Sequence, residues 1–487
     1  MALTQQVKTK YKPTIGIECH VQLKTKTKLF AGVGNDARKA APNTLISHIC
    51  VGMPGALPVL NRGAIELSAR AALALNTEPQ KFSRFERKHY FYPDLPKGYQ
   101  ITQLEDPIIK GGYIEIVVDG QPKKINIERA NLEEDAGKNT HPEGADYSLV
   151  DLNRAGTPLL EIVSKPELNS AAEAKAYARE LWLTMKYADV TEGDLYHGHV
   201  RFDVNVSVSA EQGKLGTRSE IKNLNSFRSV EAAVNYEIAR QIELLEKGEA
   251  VVQETRGWDE ANQKSTSQRS KEEAEDYRYM PEPDVPPVEL DEEFMKSIST
   301  NVVNLPTSVR QKLLQSGISP AQTEYLIEDK EAAEIILEKL DKNQQKAAQD
   351  TANWLTGPIQ NATASGLITR EQALGQAASQ YYTTISGMLS ENLLSSTAAK
   401  ELLVSSIKSN VAPEELAKSG NLLQVSDQGE IEKIVAEVLA ENTKAAEDVK
   451  KGEAKAIGFL VGQVMAKSKG KANPQMAQEI IKKQLGV

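Results

Sequence analysis

Cysteine is almost missing from this sequence. Only Cys19 and Cys50 occur among 487 residues, which excludes a disulfide framework and any cysteine-rich zinc site, so no zinc is expected. No apolar run approaches the length of a membrane helix, and residues 1–10 hold no signal-like apolar core. The chain therefore reads as cytoplasmic, with no membrane contact. Aromatic residues make up 5% of it against 26% charged, a balance that fits long surface helices. Three catalytic signatures are absent as well. There is no G-x-x-x-x-G-K-[ST] phosphate loop, since Gly137-Lys138 lacks the upstream glycine and the following hydroxyl. There is no G-x-S-x-G elbow, and neither cysteine has a recognisable nucleophile setting. Such a chain is not equipped to hydrolyse an amide for itself. The formal charge of −9 argues against a generally basic nucleic-acid coat. Locally the balance reverses: residues 449–487 carry eight lysines against two glutamates, enough to meet a polyanion.

What is present falls into two halves. Residues 1–295 mix strand-like and helix-like patterns and end in a segment, 276–288, whose four prolines exclude a helix. Beyond Leu290 the composition turns to Ala, Lys, Glu, Gln and Leu at helical spacing. The expected architecture is α+β: a largely antiparallel sheet backed by helices over 1–295, then helical domains over 296–408 and 409–487. Two elements can be placed from spacing alone. Residues 199–208 alternate strictly, with Val200, Phe202, Val204, Val206 and Val208 on one face and His199, Arg201, Asp203, Asn205 and Ser207 on the other. Residues 170–188 open with Ser170-x-x-Glu173 as a capping box and put Ala174, Tyr177, Ala178, Leu181, Met185 and Ala188 on one stripe, a helix covering a sheet.

The chemistry-bearing residues sit in such elements. Glu18 and His20, two apart in the β-branched run 14–23, leave a strand on the same face and suit a divalent cation. Further carboxylates are Glu133, Glu134, Asp135, Glu161, Asp203 and Glu220. Glu161 stands out because Pro158-Leu-Leu-Glu161-Ile-Val163 sets it in an apolar run, which is costly unless the charge is paired or bound to metal. Magnesium prefers such oxygen ligands and bridges them to nucleotide phosphates; in a chain with 67 acidic residues most carboxylates are simply solvated. Residues 84–100 interleave Arg84, Arg87, Lys88 and Lys97 with Tyr90, Phe91, Tyr92 and Tyr99. This segment suits holding phosphate and stacking a base, or equally a packed hairpin with a polar rim. Arg201, Lys222, Arg256, Arg269 and Lys271 are further cations in or near strand-like segments. Near the C-terminus an amphipathic helix, 455–466, points Ile457, Leu460, Val461, Val464 and Met465 inward. It runs into Lys467-Ser-Lys469-Gly-Lys471, and Asn473-Pro474 then opens the last helix. That basic turn is either a phosphate contact or a solvated loop.

Taken together, these segments resemble one family over essentially the whole length: the B subunits of aspartyl/glutamyl-tRNA amidotransferases. The resemblance is carried by Ile15 to Leu23, Pro54-Gly-Ala-Leu-Pro-Val59 and Arg87-Lys-His-Tyr-Phe-Tyr-Pro-Asp-Leu-Pro-Lys-Gly-Tyr-Gln-Ile101. It continues through Leu132-Glu-Glu-Asp-Ala-Gly-Lys138, Asp151 to Val163, Glu220-Ile-Lys-Asn-Leu-Asn-Ser-Phe227, Asp276 to Asp284 and Gly458 to Met465. It implies a cradle-shaped catalytic domain with a glutamine-synthetase-like fold, followed by a helical domain and a small helical tail. It also implies a heterotrimer in which a glutaminase subunit supplies ammonia and a small third subunit wraps the pair. The implied reaction is that of an ATP- and magnesium-dependent carbon–nitrogen ligase. It phosphorylates the side-chain carboxylate of mischarged Glu-tRNA(Gln) or Asp-tRNA(Asn) and then amidates it. By the same match Glu18, His20, Glu134 and Glu161 would hold metal, with Asp203 an addition. Glu134, Lys88 and Lys222 would serve the chemistry, the lysines touching phosphate or substrate carboxylate. Arg87, Arg201 and Arg278 would face the nucleotide, and Lys467, Lys469 and Lys471 the tRNA. One departure is visible: His197 and His199 stand where relatives tend to have Glu and Ser. A non-catalytic tRNA-binding scaffold is the competing reading. An archaeal glutamate-specific paralogue is excluded, because its large inserted domain is missing.

Overall fold

The computed structural model describes residues 10–486 apart from 212, 271–276, 300–303, 421, 424–427, 452, 469–471 and 473. The chain divides into two compact units, Met1–Pro306 and Thr307–Val487.

The first unit is organised by its first strand. β1 (Lys12–Gln22) buries Ile15, Ile17, Cys19 and Val21 on one face and turns Glu18 and His20 to the other, as period-two alternation requires. Eight more strands join it in one sheet: β2 (Ile109–Lys110), β3 (Tyr113–Val118), β4 (Gln121–Glu134), β5 (Pro158–Ser164), β6 (Val200–Ser209), β7 (Ser219–Leu224), β8 (Glu254–Asp259) and β9 (Lys264–Ser270). The spatial order is β9-β8-β7-β6-β1-β5-β4-β2, with β3 pairing β4. Every pairing is antiparallel except β7 with β8. That parallel pair is joined by a helix, the crossover such strands need.

Among the described residues four helices complete this unit: α1 (Arg62–Ala74), α2 (Ala171–Tyr187), α3 (Phe227–Glu246) and α4 (Glu292–Ser299). α2 and α3 pack on each other and against the sheet. The expected stripe of α2 is fully inward, from Ala174 to Ala188, and each large side chain on it contributes about 1.5–3 kcal/mol by burial. Its cap differs in one detail from the expected box. The Ser170 hydroxyl accepts from the Glu173 amide at 3.1 Å, but the Glu173 carboxylate reaches back to the amide of Asn169 at 2.7 Å, one residue early. Outside the main sheet, Glu86–His89 and Tyr99–Thr102 form a hairpin, and Met280–Pro281 of the proline-rich segment adds a short third strand.

The second unit is helical throughout its described residues. Its last four helices, Gln428–Glu441, Thr443–Lys450, Ala454–Lys467 and Pro474–Leu485, share a core that includes Ile431, Val435, Leu460, Val464 and Ile481. The sequence-based division at 408/409 falls at the end of helix Ser396–Ser409. The following helix, Pro413–Ser419, packs back on it and on Gln376–Ser390. No described helix is long and apolar enough to cross a membrane.

Candidate active site

The central sheet has one polar face, and strand pairing brings its ionisable groups together. Antiparallel register sets His20 opposite both Glu161 on β5 and Arg201 on β6, and Glu18 opposite Asp203. β4 adds Glu133, and β7 adds Glu220 and Lys222. These side chains line a cavity of about 970 Å³, closed on another side by Lys88, Tyr90, Tyr92 and Tyr277, a volume at the upper end of small-molecule sites.

Hydrogen bonds fix the rim. Asn205 donates to Glu18 Oε1 at 3.1 Å, Asn131 to Glu161 Oε2 at 2.9 Å and Thr102 to Glu133 Oε2 at 2.8 Å. Lys222 Nζ lies 3.2 Å from Asp203 Oδ2 and 3.0 Å from Glu220 Oε1. Arg201 donates to Asp135 Oδ2 at 2.8 Å, and Arg154 approaches the same oxygen at 3.3 Å. His20 Nε2 stands 3.7 Å from Glu161 Oε1.

The electrostatics split the cavity in two. Where cations face acids, charge is held: burial works against the Asp135 carboxylate, yet Arg201 and Arg154 keep it below the ordinary range. Burial likewise works against the Lys222 ammonium, and Asp203 with Glu220 overrides it and raises its pKa. Where acids face acids, charge is resisted. Burial, then the neighbouring Glu161 and Glu220, push the Glu18 carboxyl up to about 7. Burial and Glu161 push Glu133 up as well. Such crowding is relieved by a bound cation.

The donor set fits magnesium. It consists of carboxylate oxygens with one imidazole, and Asn131 Oδ1 beside Glu161 is buried without a hydrogen-bond partner. Among the described residues no three acidic or imidazole groups close on one point. That spacing suits an ion that keeps several waters and takes one or two carboxylates plus phosphate oxygens.

Of the residues expected at the site, Glu18, His20, Glu161, Asp203, Lys88, Lys222 and Arg201 line the cavity. Glu134 does not. A bulge in the β4–β5 pairing, where Val163 faces Arg129 but Ser164 faces Ile127, shifts the alternation by one residue. Leu132 therefore points into the core, Glu133 into the cavity, and Glu134 to the far side, where Lys97 and the amide of Ile101 (3.0 Å) hold its carboxylate. Arg87 is also engaged elsewhere: it grips Glu282 with two bonds of 2.7 and 2.9 Å and Asp284 at 3.0 Å, clasping the proline-rich segment to the hairpin. Arg278 lies outside the cavity lining, and its carbonyl bonds His89 Nδ1 at 2.8 Å. Lys467 bridges Glu437 at 2.9 Å and Glu441 at 2.6 Å within the C-terminal helices; Lys469, Lys471 and the cap residue Asn473 lie outside the described residues. His197 bonds Asp194 at 2.7 Å, and His199 lines a separate pocket of about 100 Å³ with Asp36, Arg38 and Glu192. The two histidines thus depart from the family pattern away from the main cavity. Sequence reasoning named Glu133 and Asp135 only among the candidate carboxylates and gave no site role to Arg154 or Tyr277; the motif Asn153-Arg154 carries the signal for Arg154.

Comparison with known proteins shows the family. Residues 13–296 match the GatB/GatE catalytic domain and residues 326–485 the GatB domain. Relatives include the B subunit of aspartyl/glutamyl-tRNA(Asn/Gln) amidotransferase from Carboxydothermus hydrogenoformans, 41% identical over 481 residues. The proteins of that name from Thermotoga maritima and Alkalilimnicola ehrlichii are 41% identical over 484 residues and 43% over 479. Each alignment spans 98% of this chain and 99% of the relative. With both domains matched and identity sustained end to end, the chain belongs to the GatB family of amidotransferase B subunits.

Proposed function

We propose that this cavity activates the side-chain carboxylate of a glutamate or aspartate carried on a mischarged tRNA, Glu-tRNA(Gln) or Asp-tRNA(Asn), and completes its amidation. A carboxylate is a poor electrophile with a poor leaving group. One of its oxygens attacks the γ-phosphorus of ATP and ADP departs, giving an acyl phosphate. Ammonia then attacks the acyl carbon, inorganic phosphate leaves, and loss of a proton from nitrogen gives the amide. The observation that carries this reading is the division of the polar face into crowded carboxylates around Glu18, Glu133 and Glu161 and held cations at Lys222 and Arg201.

Of Glu18, His20, Glu133, Glu161 and Asp203, one or two carboxylates at a time would hold magnesium, which neutralises charge on the transferring phosphoryl group when bound. Lys222 and Lys88 are set to receive phosphate or the substrate carboxylate, each kept charged by neighbouring acids. Holding Lys222 between Asp203 and Glu220 orients it before substrate arrives, so little reorganisation is needed during reaction. Nothing in the cavity resembles a glutaminase nucleophile: Cys19 is buried on the opposite, apolar face. Ammonia would come from a separate glutaminase subunit, with a small third subunit completing the heterotrimer; the relatives' own name, which makes each of them a B subunit, supports a multi-chain enzyme.

The test is amide formation by the reconstituted complex with ATP, magnesium and ammonium chloride, on each mischarged tRNA in turn. Wild type should form amide, and Glu161→Gln should form none while still binding tRNA. Equal activity in both would remove the cavity from the chemistry. Binding of tRNA without amide from wild type would favour a scaffold role.

A further inference from the structure

The aromatic residues at 90–92 are not used by the chemistry above. They sit in the loop of the hairpin Glu86–His89/Tyr99–Thr102, which the Tyr90 amide closes by donating to the Gly98 carbonyl at 3.0 Å. Gly98 takes φ +77°, and a Cβ there would stand 3.3 Å from the Phe91 ring. The turn and the aromatic tip therefore fit against each other, and the loop is a shaped element. Tyr90 and Tyr92 have ring centroids 5.8 Å apart at 32° and both line the cavity, with Tyr277 beside them. Lys88 Nζ lies 4.7 Å from the Tyr277 ring centroid, a cation placed among π-faces.

This wall does not stop at the cavity. Phe91 is 77% exposed and Tyr92 45% exposed, so the aromatic surface runs from inside the cavity out into solvent. Large rings left in water beside a charged cavity mark a binding surface. A free nucleotide bound inside would leave Phe91 unused, whereas a strand entering from outside would pass over the whole wall. Stacking on aromatic rings tolerates any base, because every base offers a π-face.

We propose that Tyr90 and Tyr92, with Phe91 at the lip, stack the unpaired bases at the acceptor end of the aminoacyl-tRNA and so lead its esterified amino acid to the carboxylate and imidazole groups. The proposal rests on the function proposed above only for the identity of the nucleic acid. Lys88, lining the cavity with these rings, would supply a positive charge where the strand's last phosphates pass.

The experiment compares the double variant Tyr90→Ala/Tyr92→Ala, its counterpart Tyr90→Phe/Tyr92→Phe and the single variant Phe91→Ala in the reconstituted complex. The alanine pair should raise KM for aminoacyl-tRNA at least about fivefold, leave KM for ATP within about twofold, and be rescued by the phenylalanine pair. Phe91→Ala, which removes almost no buried surface, should shift the tRNA KM in the same direction by less. An unchanged tRNA KM overturns the proposal. So does a rise in the ATP KM instead, which would give the rings to the adenine of ATP, or an equal defect in the phenylalanine pair, which would make the hydroxyls the active groups. A binding arm separates this idea from the reaction itself: affinity is measured for intact tRNA and for tRNA trimmed of its 3′-terminal CCA. Trimming should weaken binding to wild type and leave the alanine pair unaffected. Should wild type form no amide while that coupling persists, the stacking stands and the activation chemistry falls; equal losses on trimming in both proteins refute the stacking.

Discussion

Glu133 and Glu134 are adjacent in the chain, yet the two faces of the central sheet treat them in opposite ways. On the cavity side Glu133 meets Glu161, and its carboxyl is pushed toward the neutral form. On the far side Glu134 is held by Lys97 and a backbone amide. The same contrast runs along β1, where Glu18 is crowded by other acids while Cys19, one residue on, is simply buried. One face is built to last and the other is built under tension. Unfavourable charge crowding persists only where the rest of the fold compensates for it, and such places are where a ligand is bound.

The largest expected effect comes from exchanging the two faces' roles by mutation. Glu133→Gln should cut amide formation at least about 100-fold, since it removes a charged oxygen from the cation-holding set. Its melting temperature should hold or rise, because the repulsion with Glu161 is gone. Glu134→Gln should do the reverse: the buried Lys97 loses its counter-charge, at a cost of about 3 kcal/mol in denaturant unfolding, while turnover per folded molecule is kept. If Glu134→Gln abolishes turnover in protein of wild-type stability, the assignment of the faces is wrong. Arg87→Ala should resemble Glu134→Gln, also costing about 3 kcal/mol, because Glu282 is buried against it; a selective rise in the ATP KM with unchanged stability would instead place Arg87 at the nucleotide.

A smaller effect follows from the Glu18 carboxyl. Its pKa near 7 lies above the ordinary 4.5, so the fold favours the protonated form. Its contribution to stability is therefore greatest below about pH 4.5, falls as pH rises toward 7, and is level beyond that. On the proposed function magnesium would bind the ionised form, so it should raise the melting temperature by several degrees at pH 8 and by much less at pH 5. Thermal scans with magnesium against a chelator check this; equal shifts at both pH values would detach Glu18 from the ion. The smallest effect concerns the second unit, where exposed Lys467 already bridges two glutamates. Lys467→Ala should leave stability almost unchanged, since its ion pairs are exposed. It should also reduce the salt slope of tRNA binding by no more than about one. No change in that slope would take Lys467 out of the tRNA contact set.

Much of this was legible in the residues. Strict alternation marks β1 and β6, because a half-buried strand needs it, and the stripe of α2 follows from the pitch of a helix. The polar partners on those strands then share a face without further argument. The far side of Glu134 was hidden because parity along β4 is not constant. Ile125 and Ile127 are buried and so are Ala130 and Leu132; the bulge between the two pairs reverses which of two adjacent glutamates faces the cavity, and no local pattern announces it. Arg87 was hidden for another reason: its partner Glu282 lies 195 residues on, and a cation among aromatics looks the same whether it waits for phosphate or clasps a distant acid.

The position of β1 has a consequence for how the protein is made. This strand leaves the ribosome before the other strands of the sheet, and its neighbours on both sides, β5 and β6, come from residues 158–164 and 200–209. At about 5–20 residues per second, roughly 10–40 s pass before both edges are available. Through that interval a β-branched apolar segment has exposed backbone and no mate, the condition that invites pairing with another chain. Nascent chains stalled before residue 200 should therefore be the aggregation-prone species, and the ones that most depend on a chaperone holding the N-terminus.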